Sequence, residues 1–566
     1  MIIARRNFVK LCTSFGIAGT VFPHEITRLV GDGAPITAET IACAEEIAGL
    51  TLTPEQRELL VEDLQEHLGD YEALRVLDLP NSVPSALTFD PRISGIAPPT
   101  GNQSLQWEPS EVARPQSDQD MAFLSVAELS WLLRTREVTS TELTELYLSR
   151  LKQYDGILKA VVTLTEDLAF IQAARADVEL DAGIWRGPLH GVPYGAKDLL
   201  STKNYPTTWG AVPYQDQVID DDAAVITKLD TAGAVLVAKL ALGALAWGDV
   251  WFGGMTRNPW NIDEGSSGSS AGPGAAVAAG LVGFAIGSET LGSIVSPSTR
   301  NGVTGHRPTF GLVSRHGAMT LSWSMDKLGP MARTALDCVL IFEAIRGADA
   351  RDFATVNAPF PFNTQADLKQ LRIGYLNEAF EEDYRNREAD AAALEVLRGL
   401  GGTLTPMKLP DELPVDAMLS TLGVEAAAAF DTLTRSGGVD TMVRQGRNTW
   451  PHEFRTSRFV PAVEFMQGTR ARVLLMRRMA EVMQDIDVVI SPTFGGTSLR
   501  ITNLTGHPCV TVPNAFHLLE DAPESPRRNP GSITFLGGLY KDAQVLQVAY
   551  AYQQATDFHI QRSPLT

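Results

Sequence analysis

The stretch that decides the fold reads Glu264-Gly-Ser-Ser-Gly-Ser-Ser-Ala-Gly-Pro-Gly-Ala-Ala-Val-Ala-Ala-Gly280, followed by Leu281-Val-Gly-Phe-Ala-Ile-Gly-Ser-Glu-Thr-Leu-Gly-Ser293-Ile-Val-Ser-Pro297. Two turns of small residues flank an Ala/Val segment of helical composition and an apolar run, Leu281–Ile286, that predicts a buried strand. Glycines let backbone N–H groups approach a ligand closely. Serines supply hydroxyls, so this stretch can place a nucleophile beside an oxyanion hole.

Two other motifs overlap this stretch, and each lacks an essential part. Gly287-Ser-Glu-Thr-Leu-Gly292 has the glycine spacing of a phosphate-binding loop, but Ser293-Ile294 stands where that loop needs Lys-Ser/Thr. Gly268-Ser-Ser-Ala-Gly272 fits the nucleophile elbow of α/β-hydrolases, with Ser270 as its serine. The elbow requires a hydrophobic strand directly before it, whereas residues 258–265 have the composition of a loop. Ser270 is therefore the weaker candidate nucleophile.

Two further interpretations remain beside these. Ser324-Met-Asp-Lys327 fits the S-x-x-K motif of serine β-lactamases, but the S-D-N and K-T-G companions are absent from the sequence. The Gly/Ser run itself is also compatible with a flexible linker. Its direct continuation into an Ala-rich segment and an apolar run favours a place inside folded structure.

The region 265–297 resembles the signature of the amidase signature family. That family has a Gly-Gly-Ser-Ser-Gly-Gly block, an Ala-rich helix and a Gly-Thr-Asp-x-Gly-Gly-Ser-Ile block. Its two catalytic serines are 24 residues apart, so counting back from Ser293 gives Ser269, with Ser266 as the alternative. The family also has a lysine at the end of a Gly-x-Pro-x-x-x-Lys-Asp segment, which here is Gly191-Val-Pro-Tyr-Gly-Ala-Lys197-Asp198.

The resemblance extends over about residues 120–560. Similar strings recur at Asn258-Pro-Trp260, Gly305-His-Arg-Pro-Thr-Phe-Gly311, Ser491-Pro-Thr493 and Gly506-His-Pro-Cys-Val-Thr-Val-Pro513. The chain departs from the family pattern at three positions: Glu289 replaces Asp, Leu291 replaces Gly, and Val295 replaces Arg. Of these, Leu291 bears most directly on the oxyanion turn.

The resemblance implies a Ser-cis-Ser-Lys triad and an acyl-enzyme intermediate. Ser293 is then the nucleophile, Ser269 carries the proton, and a neutral Lys197 accepts it, which requires burial to lower the lysine pKa. Backbone N–H groups would form the oxyanion hole, and Ser270 would support the loop. The oxyanion donors implied are those of Thr290, Leu291, Gly292 and Ser293. The mechanism needs no metal and no organic cofactor.

Composition excludes several classes of protein. The chain has 566 residues, 47 Lys+Arg against 67 Asp+Glu, and a formal net charge of −20, which disfavours a nucleic-acid partner. Its four cysteines form no C-x-x-C pair, and its nine histidines form no H-E-x-x-H motif. We interpret His190, close to the lysine segment, as structural.

The N-terminus has the pattern of a twin-arginine export signal. Arg5-Arg6-Asn7-Phe8-Val9-Lys10 precedes an apolar run, Leu11 to Phe22, that is shorter than the ~20 residues needed to span a bilayer. We therefore predict a signal segment over 1–30, a periplasmic or exported protein and no stable membrane insertion. The alternative is a cytoplasmic protein with a basic N-terminus.

Beyond the signal segment, the sequence predicts three parts: a helical extension, a proline-rich strap and one large domain. Thr53-Pro-Glu-Gln56 is a capping box that opens a helix over 53–68, within a helical extension over 35–80. Seven prolines between residues 80 and 115 indicate an extended linker or strap, which we place at 81–119. Residues 120–560 form the large domain.

Within the large domain, helices and strands alternate. Ser125-Val-Ala-Glu128 and Thr139-Ser-Thr-Glu142 are capping boxes, and apolar runs at 233–239 and 487–491 predict strands buried on both faces. The predicted fold is α/β: a single large amidase-signature domain with a central mixed β-sheet flanked by helices, plus the N-terminal helical extension.

The function predicted is an amidase that hydrolyses the C–N bond of a small-molecule amide. Two alternatives remain: a glutamine-hydrolysing amidotransferase A-type subunit, and a catalytically inactive binding protein on the same fold. Residues 410–470 contain candidate pocket aromatics, Trp450, Phe454 and Phe465, which are equally compatible with a place in the core. The sequence leaves the amide and the oligomeric state open.

Overall fold

The computed structural model describes residues 36–76, 79–93, 98–101 and 105–565. They divide into two compact units. The smaller takes the described residues up to Val83 together with Arg458–Glu464, and the larger takes Pro84–Ser457 and the described chain from Phe465 onward. The predicted signal segment over 1–30 lies outside the described residues.

The smaller unit is helical. It contains α1 (Ala38–Ala44) and α2 (Pro54–Arg75). The Thr53 N–H donates to Gln56 Oε1 at 2.8 Å and the Gln56 N–H donates to Thr53 Oγ1 at 3.3 Å, so the predicted capping box is confirmed. The helix is longer than the predicted 53–68, since α2 continues to Arg75.

The larger unit, in its described part, is built on an eleven-stranded mixed sheet. The strand order is β1-β3-β2-β8-β10-β9-β14-β15-β13-β11-β12, and β4-β5 and β6-β7 form separate two-stranded ladders. Strand β2 pairs in parallel with β3 and β8, whereas β8 pairs antiparallel with β10. The strands are β1 (Val161–Leu164), β2 (Pro193–Lys197), β3 (Val235–Leu240), β4 (Val250–Trp251), β5 (Gly254–Met255), β6 (Arg257–Asn258), β7 (Asn261–Gly265), β8 (Phe284–Glu289), β9 (Thr304–Arg307), β10 (Lys327–Ala332), β11 (Ile373–Leu376), β12 (Leu404–Met407), β13 (Val488–Pro492), β14 (Cys509–Leu518) and β15 (Arg528–Gly537).

Helices flank this sheet, and none in the described part of the chain is long and apolar enough to cross a membrane. The helices of the larger unit are α3 (Asp118–Ala122), α4 (Val126–Arg134), α5 (Ser140–Leu158), α6 (Glu166–Asp181), α7 (Ala224–Thr231), α8 (Ala271–Ala278), α9 (Val295–Asn301), α10 (Ala335–Ile345), α11 (Asn377–Glu381), α12 (Arg387–Gly399), α13 (Val415–Met418), α14 (Ser420–Ala429), α15 (Asp431–Arg435), α16 (Trp450–Ser457), α18 (Ser498–Thr505) and α19 (Asp542–Gln554). Helix α17 (Ala462–Val482) begins within the segment Arg458–Glu464, which is assigned to the smaller unit, and its residues from Phe465 onward belong to the larger one. Short 3₁₀ helices lie at Val212–Tyr214, Ala244–Ala246, Leu368–Gln370, Gly438–Thr441 and Phe558–Ile560.

Most side chains of β3 and β8 are apolar, and the polar exceptions are Lys239, Ser288 and Glu289. Every residue of β3 and of β8 is buried, as expected for strands covered by helices on both faces. The apolar runs at 233–239 and 487–491 become β3 and β13, so these predictions are confirmed. Strand β8 begins at Phe284, three residues later than the predicted start. The predicted fold class, α/β with a central mixed sheet, is also confirmed.

Both capping boxes predicted for the large domain are present. Ser125 and Glu128 exchange side-chain and backbone hydrogen bonds at the start of α4, and Thr139 and Glu142 do so at the start of α5. These bonds satisfy backbone N–H groups that a helix start otherwise leaves without a partner.

The proline-rich segment that precedes α3 runs along the larger unit without helix in its described part. The Phe89 ring packs edge-on against the Phe310 ring, with their centroids 5.0 Å apart. The Arg472 guanidinium carbon lies 3.8 Å from the centroid of the Phe89 ring. The Gln106 N–H donates to Phe362 O at 2.9 Å. The segment is therefore held by ring packing and by backbone hydrogen bonds.

Candidate active site

Three segments of the large unit meet at one end of two neighbouring strands. Lys197 is the last residue of β2, and Ser288 lies one residue before the end of β8, which pairs with β2. The third segment, Ser269-Ser270, directly precedes α8, which begins at Ala271. All of these side chains are buried or nearly so.

Lys197 lies at the centre of a cluster of hydroxyls. Its Nζ is 2.8 Å from Ser269 Oγ, 3.1 Å from Ser270 Oγ and 2.8 Å from Ser288 Oγ. Ser270 Oγ also donates to Ser288 O and accepts the Ser288 N–H, both at 3.1 Å. The lysine therefore contacts neutral oxygens, with no carboxylate among its hydrogen-bond partners in the described chain.

The environment of Lys197 favours its neutral form. The side chain is completely buried, and burial holds the pKa of Lys197 well below its ordinary value, because a buried ammonium loses its hydration. The negative charges of Asp326 and Glu289 raise the pKa in part but do not cancel the effect of burial. A neutral amine in contact with a serine hydroxyl can act as a general base.

The Gly/Ser segment has an unusual backbone. The peptide bond between Gly268 and Ser269 is cis, and Ser267 has φ = 60°. A Cβ atom on Gly268 would lie 1.9 Å from Gly248 O, so only glycine fits there. The Ser267 N–H donates to Asp249 Oδ2 at 2.9 Å, which anchors the turn that leads into Ser269.

Ser293 is brought against this segment by the backbone. The Ser270 N–H donates to Ser293 O at 3.1 Å, and Ser267 Oγ is 2.7 Å from Ser296 Oγ in α9. Ser293 is 9% exposed, compared with 1% for Ser269. Ser293 therefore borders the interior of the site while remaining more accessible than Ser269.

The turn that carries Ser293 presents unpaired backbone donors. Within the described residues, the N–H groups of Thr290, Leu291, Gly292 and Ser293 donate no hydrogen bond to the protein. Gly292 has φ = 84°, a conformation that glycine adopts without strain. Four successive N–H groups without an acceptor can bind a developing negative charge.

Ser266 and Ser269, the two alternative serines, make different contacts. Ser266 Oγ donates to Ser267 O at 3.0 Å, whereas Ser269 contacts Lys197. Ser270, the serine of the nucleophile-elbow alternative, contacts both Lys197 and the backbone of Ser288. No strand leads directly into Ser270, because the short strand β7 ends at Gly265.

The histidine and the three aromatic residues named in the sequence analysis make structural contacts or lie at least partly buried. The Arg186 N–H donates to His190 Nδ1 at 3.2 Å, and burial lowers the pKa of this histidine. Trp450 and Phe454 belong to the main hydrophobic core and stack with ring centroids 5.1 Å apart. Phe465 is half-buried.

Several residues of the site are not indicated by the sequence patterns. Ser288 lies in Gly287–Gly292, whose glycine spacing gives no sign of a contact with a lysine. The buried pair of Asp198 and Lys239, with 2.8 Å between Oδ1 and Nζ, lies beside Lys197. The Lys-Asp motif contains Asp198 but gives no information about its partner, which lies on the neighbouring strand. No group of three or more His, Cys, Asp or Glu residues that could hold a metal occurs in the described ranges.

Comparison with known proteins gives the family. The family model described as Amidase matches residues 142–520. The chain belongs to the amidase signature family. It is 32% identical over 489 residues to the A-type subunit of the glutamyl-tRNA(Gln) amidotransferase of Thermosynechococcus vestitus, a match that covers 78% of this chain and 99% of that protein.

Solved structures of amidase signature enzymes have the same fold. The native peptide amidase from Stenotrophomonas maltophilia is 30% identical, with a TM-score of 0.67 and coverage of 78% of this chain and 98% of that one. A bacterial aryl acylamidase of the family has 22% identity, a TM-score of 0.66 and coverage of 77% and 97%, a likeness that concerns the fold alone. The resemblance found in the signature region is therefore confirmed.

Proposed function

We propose that this chain hydrolyses the C–N bond of a carboxylic amide through Lys197, Ser269 and Ser293. The observation that carries the proposal is the 2.8 Å contact between the buried Lys197 Nζ and Ser269 Oγ. Family membership supports amide hydrolysis as the reaction class. The roles of the individual residues are our assignment.

In the first half of the reaction, Ser293 Oγ attacks the amide carbon. Its proton passes to Ser269 Oγ while the Ser269 proton passes to Lys197 Nζ. The negative charge that develops on the carbonyl oxygen is stabilised by the free N–H groups of Thr290, Leu291 and Gly292. The C–N bond then breaks, the proton returns through Ser269 to the leaving amine, and an acyl ester remains on Ser293.

In the second half, water attacks the ester carbon and gives its proton to the same relay. The oxyanion forms again at the same N–H groups and collapses with departure of Ser293 Oγ. Ser293 recovers its proton, and the carboxylic acid leaves. The net reaction converts one amide and one water molecule into one carboxylic acid and one amine.

Two classes of amide are candidates. Glutamine is favoured by the relatives, because the matched A-type subunit of the amidotransferase is covered over 99% of its length. A peptide amide is favoured by the 30% identity to a peptide amidase. The relatives thus support the A-type alternative more strongly than the free-standing amidase that we predict from the sequence.

The catalytic residues can be tested with a fluorophosphonate probe, which labels an activated serine. We expect the wild type to be labelled and Ser293→Ala and Lys197→Ala to remain unlabelled while folded. Ser266→Ala is the matched control from the same Gly/Ser stretch, since its hydroxyl contacts only the Ser267 backbone among described residues. Labelling of Ser293→Ala at the wild-type level would refute the assignment. Folded wild type that neither labels nor hydrolyses any amide would favour the inactive binding protein.

The substrate class can be tested by measuring ammonia release from glutamine and from a panel of peptide and aryl amides. An A-type subunit should release ammonia from glutamine, with a strong increase when the partner subunits of an amidotransferase are added. A free-standing amidase should act on the panel without partners and leave glutamine intact. Hydrolysis of glutamine that depends on the partner subunits would support the A-type subunit, and hydrolysis of the panel without partners would support the free-standing amidase.

We also propose export by the twin-arginine route, on the basis of Arg5-Arg6 and the apolar run that follows. An A-type subunit would instead work in the cytoplasm beside its partners. The two locations can be distinguished by fractionating cells that express the wild type or the double variant Arg5→Lys/Arg6→Lys. If the protein is exported, the wild type should be found in the periplasm and the double variant should not. If wild type and double variant are found in equal amounts in the cytoplasm, the export proposal is wrong.

A further inference from the structure

The turn that carries Ser293 is closed by one carboxylate. Glu289 is the last residue of β8 and is completely buried. Its Oε2 accepts the N–H of Ile294 at 2.9 Å and the N–H of Val295 at 3.0 Å. The side chain thus joins the residue before the turn to the two residues that follow Ser293.

The other oxygen of Glu289 is fixed by two donors. Oε1 accepts from Arg307 Nη1 at 2.7 Å and from Asn503 Nδ2 at 2.8 Å. Arg307 itself donates to His507 O at 2.9 Å. Burial alone would raise the pKa of Glu289, but Arg307 and the backbone N–H groups lower it to about 2, so the carboxylate is ionised.

A second carboxylate holds the opposite side of the same turn. Thr290 Oγ1 donates to Asp326 Oδ1 at 2.6 Å. Asp326 Oδ2 accepts the N–H groups of Leu321 at 2.8 Å and Ser322 at 2.9 Å. Asp326 immediately precedes β10, the antiparallel neighbour of β8, so its position is set by the sheet.

We propose that Glu289 and Asp326 are positioning residues that hold the turn from Thr290 to Ser293 in the geometry needed to bind the oxyanion. This inference rests on the proposed function of that turn. The four N–H groups between the two anchors make no hydrogen bond with the described protein, so the turn has few internal bonds to fix it. Its geometry therefore depends on contacts at its two sides. Leu291 occupies its centre, and the anchors limit the conformations available to it.

The experiment separates oxyanion binding from general stability. Thr290→Val removes the hydroxyl that contacts Asp326 and keeps the side-chain shape. Glu289→Gln keeps the size of the side chain and removes its charge. Thr556→Val is the control for the same substitution away from the site, because Thr556 Oγ1 makes a single bond, to Tyr552 O at 2.9 Å near the end of α19.

The readouts are kcat, KM and the inhibition constant of an aryl boronic acid, which forms a tetrahedral adduct on an active serine. For Thr290→Val we expect kcat and boronic acid affinity to fall about 10-fold, with KM changed less than about 2-fold. For Glu289→Gln we expect kcat to fall about 100-fold, since misplacement by ~1 Å can have that effect. Thr556→Val should match the wild type in all three.

The outcomes distinguish this inference from the proposed function. If the wild type is active and folded Thr290→Val keeps the wild-type kcat and inhibitor affinity, the positioning role is refuted while the triad stands. If Thr290→Val alters KM and inhibitor affinity equally, the contact acts on binding in general and the inference also fails. If the wild type neither hydrolyses amides nor binds the boronic acid, the proposed function itself is wrong. Should Glu289→Gln fail to fold, Asn503→Leu, which removes one donor to Glu289 Oε1, tests that anchor instead; we expect kcat to fall, and a wild-type kcat would refute the role of Glu289.

Discussion

Ser270 donates its backbone N–H to the carbonyl oxygen of Ser293 at 3.1 Å. This bond joins the segment that contacts Lys197 to the segment that carries the proposed nucleophile, and it leaves the side-chain hydroxyls of Ser269 and Ser293 unused. The relative position of the two segments is therefore set by the main chain. Substitution of Ser293 by alanine should accordingly leave the site's backbone unchanged, which makes that variant a suitable test of chemistry.

The first prediction concerns the pH dependence of hydrolysis. Lys197 must be neutral to accept a proton, so kcat/KM should rise as pH rises through the Lys197 pKa and level off above it. Because burial holds this pKa well below its ordinary value, we expect the increase between pH 7 and pH 9 to be clearly smaller than that of an ordinary lysine. A lysine with an ordinary pKa of ~10.4 would give an increase in kcat/KM of about 100-fold over the same range.

Steady-state assays with a neutral amide from pH 6 to 10 measure this increase in kcat/KM. A rate that rises tenfold per unit to pH 10 would contradict a buried neutral base.

The second prediction concerns Gly268. A Cβ there would lie 1.9 Å from Gly248 O and 2.5 Å from Gly248 C, both backbone atoms that cannot move independently. Gly268→Ala should therefore lower the free energy of unfolding by about 2 kcal/mol or more and abolish labelling of Ser293. In Gly156→Ala, within α5, the new Cβ meets nothing within 4 Å, and this control should gain up to about 1 kcal/mol. Urea unfolding of both variants provides the comparison. Equal stability of the two variants would show that the chain around Gly268 can relax.

The third prediction concerns the buried pair of Asp198 and Lys239. Both side chains are fully buried, and Asp198 Oδ2 also accepts from the Thr208 N–H at 2.9 Å. Asp198→Asn leaves the Lys239 charge without its partner, which should reduce stability by about 3–5 kcal/mol. The double variant with Lys239→Met should lose less than the sum of the two single variants. Thermal unfolding of the four proteins measures this coupling. Additive losses would mean that the two groups do not stabilise each other.

The fourth prediction concerns Ser288, whose Oγ lies 2.8 Å from Lys197 Nζ. Ser288→Ala removes one of three hydroxyls that orient the amine, and we expect kcat to fall about 10-fold. Ser288→Thr retains a hydroxyl and should recover most of the rate. Both variants should keep the wild-type KM for a small amide, since Ser288 contacts the base. A reduction in KM alone, with kcat unchanged, would argue against an orienting role.

Local sequence patterns predicted those features of the fold that depend on residues close together in the chain. The capping boxes at Ser125 and Thr139 and the buried run that becomes β3 are decided within a few residues. The choice of Ser269 over Ser266 came from its distance along the chain to Ser293. It agrees with the observed contact between Lys197 and Ser269.

The contacts that sequence reasoning missed are made across the sheet. Arg307 reaches Glu289 from β9, and Asp326 reaches Thr290 from the start of β10. Asn503, a further partner of Glu289, is 214 residues away along the chain. Such pairs depend on which strands become neighbours in the sheet. The periodicity of apolar residues within a strand does not determine the strand order of a mixed sheet.

The position of strand β15 in the sheet limits where this protein can be cut into fragments. The family match ends at residue 520, whereas β15 spans Arg528–Gly537 and lies between β14 and β13. A fragment cut at the limits of the match would end before β15 and leave β14 and β13 without the strand that joins them. The half of the sheet that contains Lys197 would be separated from β11, β12 and β13. Recombination with other members of the family should therefore exchange β14, β15 and α19 as one block.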